Sequence, residues 1–134
     1  MSKKEYGIRT IVSLPFDEAV AKTKEVLQEQ GFGVLSEIDM QAKLKEKVGA
    51  DIGRYLILGA CNPPLAHKAV QAEPEIGLLL PCNVIVYENQ SGQTVVSAVD
   101  PEGMMMVVGY NPNVVEVGQD AKKRLTAVID RLKG

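Results

Sequence analysis

The sequence predicts a two-layer α+β fold, with a largely antiparallel sheet and helices packed on one face. Three observations carry this. The apolar periodicity switches along the chain in the order strand, helix, strand, short helix, strand, helix, hairpin, helix, which is neither strict βαβ alternation nor all-β. One long apolar run, Tyr55 to Cys61, has strand length. The 134 residues, 46% of them hydrophobic, suffice for one core, so residues 1–134 are expected to form a single domain.

Each element has its own signal. Tyr6 to Leu14 alternates through Ile8, Thr10 and Val12 and stops at Pro15, which lacks an N–H, so it predicts a first strand. From Phe16, the residues Ala19, Val20, Val26 and Leu27 keep helical spacing, with Asp17 and Glu18 in the first turn and Gly31 as the stop. Phe32 to Ile38 is a second strand, expected to return antiparallel to the first or beside it. Asp39 is placed to cap a short amphipathic helix carrying Met40, Leu44 and Val48 and closed by Gly49, with an irregular turn as the alternative.

Tyr55 to Cys61 is expected as the central strand, covered on both faces. Asn62-Pro63-Pro64 then opens a helix that buries Ala66, Ala69 and Val70 and ends before Pro74. Val84 to Tyr87 and Thr94 to Val99 pair as a hairpin about Asn89-Gln90-Ser91-Gly92. Asp100-Pro101 begins a loop or short helix around Met104 to Val108. The last helix carries the stripe Val114, Val117, Ala121, Leu125, Val128, Ile129 and Leu132 and is expected to end at Gly134. Two substantial helices cover one side of such a sheet. A leftover apolar face would favour a homodimer in which two sheets meet.

Composition narrows the partners. Fifteen Lys and Arg against seventeen Asp and Glu give a net charge of −2 with no basic run, which speaks against nucleic acid. No apolar run reaches the roughly 18 residues of a membrane span, and the start at Met1 has no signal-type apolar segment, so a cytoplasmic location away from membranes is expected. Two cysteines are too few for a disulfide scaffold. No catalytic motif such as G-x-S-x-G, H-E-x-x-H or a Walker loop is present, which leans away from an enzyme.

One polar cluster stands out. Cys61 closes the central strand and Cys82 opens the strand before Val84, so antiparallel pairing of these strands brings both thiols to one end of the sheet. Cys61 also precedes a helix N-terminus, whose partial positive charge can lower a thiol pKa, although a free cysteine more often packs as a small buried hydrophobe. Asn62, Pro63, Pro81 and Asn83 share this end, making a candidate ligand or thiol site. His67, the single histidine, would complete a Cys, His, Cys set, but its helical position groups it with Lys68 and Gln71 on the wet side. No zinc spacing is present, so no metal or cofactor is assigned. Met104-Met105-Met106 invites a copper reading, yet three consecutive residues diverge, and core filling is expected. Glu73, Glu75 and the Gly49–Gly53 segment are expected as surface, the latter beside Lys43, Lys45, Lys47 and Arg54.

Tyr55-Leu-Ile-Leu-Gly-Ala-Cys-Asn-Pro-Pro-Leu-Ala and Ile76-Gly-Leu-Leu-Leu-Pro-Cys-Asn-Val-Ile-Val-Tyr-Glu resemble the domain of unknown function 302 family. Pro15 to Ala19, Gly31 to Leu35 and Ala121 to Leu132 extend the likeness over nearly the whole chain. The resemblance implies a compact α+β domain compared with the TATA-binding-protein-like fold, often a homodimer, with no established reaction. It also implies that some relatives accompany sulfur-handling proteins. Two functions follow as expectations. The first is a small dimeric binding or accessory protein, taking an apolar or anionic small molecule between sheet and helices. The second is a thiol or soft-metal protein using Cys61 and Cys82, with His67 as an outer participant.

Overall fold

The computed structural model describes residues 5–133; the expected stop at Gly134 and the segment 1–4 lie outside them. The chain runs β1 (Gly7–Val12), α1 (Phe16–Glu29), β2 (Gly33–Asp39), α2 (Met40–Val48), β3 (Tyr55–Cys61) and α3 (Pro63–Ala72). A 3-10 turn at Pro74–Leu79 leads into β4 (Cys82–Glu88) and β5 (Thr94–Val99). Then come α4 (Pro101–Met105), a 3-10 turn at Met106–Val108, and α5 (Pro112–Leu132).

The five strands form one antiparallel sheet in the order β1-β5-β4-β3-β2. Two expectations need correction here. β4, rather than Tyr55–Cys61, is the middle strand, and β2 lies at the edge opposite β1 and runs parallel to it, neither beside it nor antiparallel. The slot next to β1 is taken by β5. The 14 residues of α1 extend roughly 21 Å, enough to cross the four interstrand spacings of about 4.8 Å that separate the two edges.

Helices α1 and α5 cover one face. Leu58 and Ala60 of β3, Val84 and Val86 of β4 and Val96 and Ala98 of β5 meet Val26, Leu27, Leu125, Val128 and Ile129 there, all essentially excluded from water. A smaller cluster lies at one end, where Ala69 of α3, Ile76, Met105 of α4, and Val114 and Val117 of α5 pack together. Local chemistry fixes the helix ends. Asp39 caps α2 by accepting from the Ala42 N–H at 2.9 Å, and Gly49 closes it at φ 70°. Asn111 caps α5, and its Nδ2 donates to the Ala72 carbonyl at 3.2 Å, tying α5 to the end of α3.

Among the described residues, no helix lies on the other face. The register aligns Ile38, Ile57, Ile85, Ser97 and Arg9 across it, and Tyr55, Tyr87, Val95 and Ile11 in the next row. The covering expected on both sides of Tyr55–Cys61 is therefore incomplete: Tyr55 and Ile57 are half-buried. The amphipathic helix α2 forms as expected but buries none of its residues. Val70 of α3, expected inside, is 43% exposed, because α3 packs through Ala69 with Leu65 beside it.

Candidate functional site

The register pairs Ala60 with Cys82, so Cys61 and Cys82 are diagonal neighbours at one end of the β3–β4 pair, as antiparallel pairing requires. Both are free thiols, Cys82 buried and Cys61 half-buried. Beyond Cys61 the strand cannot continue, because Pro63 and Pro64 lack N–H groups. Asn62, 7% exposed, turns the chain instead: its Oδ1 accepts from the Leu65 N–H at 3.3 Å, capping α3. Its Nδ2 donates to the Gln30 carbonyl at 3.4 Å, and the same oxygen accepts from Arg124 Nη1 at 3.1 Å. The end of α1, the start of α3 and the middle of α5 are thereby joined. Gly31 sits in this knot at φ 83°, where a Cβ would come within 2.9 Å of Asn62 Nδ2.

A cavity of about 30 Å³ lies under this end, between the sheet and helices α3, α4 and α5. Cys61, Asn62, Pro81 and Cys82 line it, joined by Met105 and by apolar residues such as Phe32. Of the expected site residues, Pro63, His67 and Asn83 are not in its wall. His67 is exposed on α3, in keeping with its helical position, and Asn83 belongs to the helix-free face. The volume equals about one water's share of liquid, so an organic ligand between sheet and helices has no room.

Both thiols follow the buried-hydrophobe reading, and no lowering by the helix terminus shows at Cys61. Burial pushes the Cys82 thiol up to about 11, with the neighbouring Cys61 adding to the shift, and burial likewise raises Cys61 above its ordinary 9.0. Loss of hydration penalises a thiolate more strongly here than the terminus of α3 stabilises it. Among the described residues no three His, Cys, Asp or Glu side chains gather to hold an ion. Of the three consecutive methionines, Met105 is buried and Met104, half-buried, packs against both core clusters, while Met106 is 70% exposed, so core filling holds for Met104 and Met105.

Space for a small molecule exists on the helix-free face. A recess of about 470 Å³ is lined by Glu5, Tyr6, Arg9, Tyr55, Ile85, Tyr87 and Ser97. The Tyr55 and Tyr87 rings stack at 5.5 Å and 23°, a consequence of their being direct cross-strand partners. Arg9 Nη1 donates to Glu5 Oε2 at 3.0 Å. Partial burial, with Tyr87 and Tyr6 nearby, raises the Tyr55 phenol above its ordinary 10.0, so the ring stays neutral at physiological pH. Sequence reasoning missed this recess; its one signal was that Val84 to Tyr87 is apolar on both pleats, which a strand with one wet face does not need.

Comparison with known proteins bears on the same elements. The family described as "Domain of unknown function DUF302" matches residues 8–132, from β1 to the last residue of α5. The chain belongs to the DUF302 family. An uncharacterized protein of Aquifex aeolicus (strain VF5) is 24% identical over 128 residues, covering 92% of this chain and 81% of its own. The crystal structure of an uncharacterized conserved DUF302 protein from Bacillus stearothermophilus superposes with a TM-score of 0.87 at 31% identity. That alignment covers 97% of this chain and 100% of the other, so the five-stranded sheet with its helices is a DUF302 fold. Neither the family nor these two relatives are named for a reaction or a ligand. No helix among the described residues is long and apolar enough to cross a membrane.

Proposed function

We propose that this DUF302 chain is a cytoplasmic, non-enzymatic binding or accessory protein that works as a homodimer, its helix-free sheet face set against that of a second copy. The observation that carries this reading is a patch of two adjacent rows on the uncovered face, one through Ile38, Ile57 and Ile85 and the other through Tyr55, Tyr87, Val95 and Ile11. Ile57 and Ile85 are cross-strand partners at its middle, and Ile11 and Ile38 are 48% and 43% exposed toward the two edges. Such a continuous patch favours burial against a partner. A two-fold pairing is self-complementary, so one surface serves both copies. The unburied helix α2, with Val48 70% exposed, adds apolar surface at the β2 edge. Pairing would enclose the recess of about 470 Å³, within the size range of small-molecule sites, with the stacked Tyr55 and Tyr87 as its floor.

Light scattering behind size exclusion tests the reading. The wild-type protein is expected at twice its 14.5 kDa chain mass. Ile57→Lys and Ile85→Asp change half-buried positions outside the helix-covered core, so each should keep its far-UV spectrum. Each change enters a two-fold interface twice, and central truncations carry about 2 kcal/mol or more, so dimerisation should weaken by well over about 30-fold. A monomeric wild type, or dimers that survive both charges, would overturn it.

A further inference from the structure

We propose that the recess on the helix-free face binds one free α-amino acid with an aromatic side chain, its carboxylate held by Arg9 and Ser97, its ammonium by Glu5, and its ring by Ile85, Tyr55 and Tyr87. This deepens the binding half of the reading above and does not depend on the dimer half. The apolar row through Ile38, Ile57 and Ile85 changes character toward β1, where Ser97 of β5 and Arg9 are direct cross-strand partners. A face built only to exclude water against its own copy gains nothing from that polar pair. Ser97 is 9% exposed and lines the recess, and its hydroxyl has no protein partner among the described residues. Buried polar groups are as a rule hydrogen-bonded, so this hydroxyl is left open for a ligand atom.

Gly7 shapes the carboxylate end. A Cβ built there would lie 2.8 Å from Ser97 Oγ and 3.1 Å from Arg9 Nη2, so both donors overhang the space that a side chain at this position would fill. A carboxylate seated over Gly7 accepts from both, with the guanidinium bond assisted by charge. The other amino group, Arg9 Nη1, donates to Glu5 Oε2 at 3.0 Å, which sets an acid beside the cation in the same wall. Their charges sum to zero. A ligand carrying an anion alone, or a cation alone, would leave one charge uncompensated as water is displaced, which is costly. An amino acid brings both charges, a carboxylate and an ammonium on one carbon, and keeps the sum at zero. Its side chain then lies across the strands. From Ser97 of β5 to Tyr55 of β3 there are two interstrand spacings of about 4.8 Å, the reach of a phenylalanine-sized molecule, over Ile85 and the stacked tyrosines. An aromatic ring gains offset or edge contacts with such a pair beyond the area it buries.

Isothermal titration calorimetry with L-phenylalanine tests this, and one molecule per chain is expected. 3-Phenylpropionate lacks the ammonium, phenethylamine the carboxylate and alanine the ring; each should bind about tenfold or more weakly. Ser97→Ala breaks no side-chain bond among the described residues and should weaken phenylalanine binding by about tenfold, and Arg9→Gln by more. Gly7→Ala puts a methyl group in the carboxylate seat and should abolish binding. Far-UV spectra confirm folding; should Gly7→Ala disturb the edge strand, Ser97→Ala still decides. Light scattering on the same samples separates the two readings. A monomeric wild type that binds phenylalanine keeps this site and removes the dimer, whereas a dimer that takes up none removes the site alone. Absence of phenylalanine binding in either oligomeric state, analogues binding as tightly as phenylalanine, or Ser97→Ala binding as wild type does, would each overturn the proposal.

Discussion

Gly59→Val is expected to remove about 3 kcal/mol or more of stability, the upper end of what overpacking costs. Gly59 stands in β3 opposite Ser36 on one side and Asn83 on the other. A Cβ built there would overlap the Ser36 hydroxyl oxygen and come within 2.8 Å of Pro81 Cγ, closer than real Cβ contacts. Valine adds two more carbons to a site with no room for the first. Gly59→Ala isolates that first contact and should lose about 1–3 kcal/mol. If the overlap is the cause, Ser36→Ala should return part of the loss, since residues in contact couple by about 0.5–3 kcal/mol in a double-mutant cycle. Urea titrations of the four proteins measure this. Additive losses, with no coupling between positions 36 and 59, would place the effect in the contact with Pro81 instead.

The same glycine marks the limit of what the sequence discloses. The run Tyr55 to Cys61 announces its bounds because seven residues bracketed by Arg54 and Asn62 leave little choice, and the structure keeps both ends. Asp39, Gly49 and the proline pair at 63–64 are equally legible, since caps and stops act within a few residues. Strand order is not local. That β5 takes the place beside β1 depends on which edge the hairpin of β4 and β5 reaches, and nothing within β1 or β2 encodes it. The site divides along the same line. Antiparallel pairing brings Cys61 and Cys82 to one end from their strand positions alone. Their raised pKa values are not visible that way, because the desolvation comes from α3, α4 and α5 closing over the strand ends. Nor does the sequence say which of Met104, Met105 and Met106 turns inward; that is fixed by the contact of α4 with Gly118.

Alkaline pH should weaken the protein through the buried Cys82 thiol. In the unfolded chain this thiol ionises at its ordinary 9.0, and in the folded chain near 11. Between these values the unfolded state holds fewer protons than the native one, so unfolding becomes more favourable as pH rises. Stability from the buried neutral thiol is fully present below pH 9 and is lost through pH 11, at up to about 1.4 kcal/mol per pH unit and about 2–3 kcal/mol in total. Cys61 shifts in the same direction by the same cause and steepens the loss. Other groups also lose protons at alkaline pH, the Tyr55 phenol and the Lys122 ammonium among them, both held above their ordinary values, so the comparison must be with Cys82→Ala. That variant forfeits a fixed amount of packing at every pH and keeps all the other titrations. Urea unfolding from pH 7.5 to 10.5 should therefore show the wild-type advantage over Cys82→Ala constant at first and shrinking above pH 9. An advantage that stays constant throughout would mean that water reaches the Cys82 thiol and that it ionises where it stands.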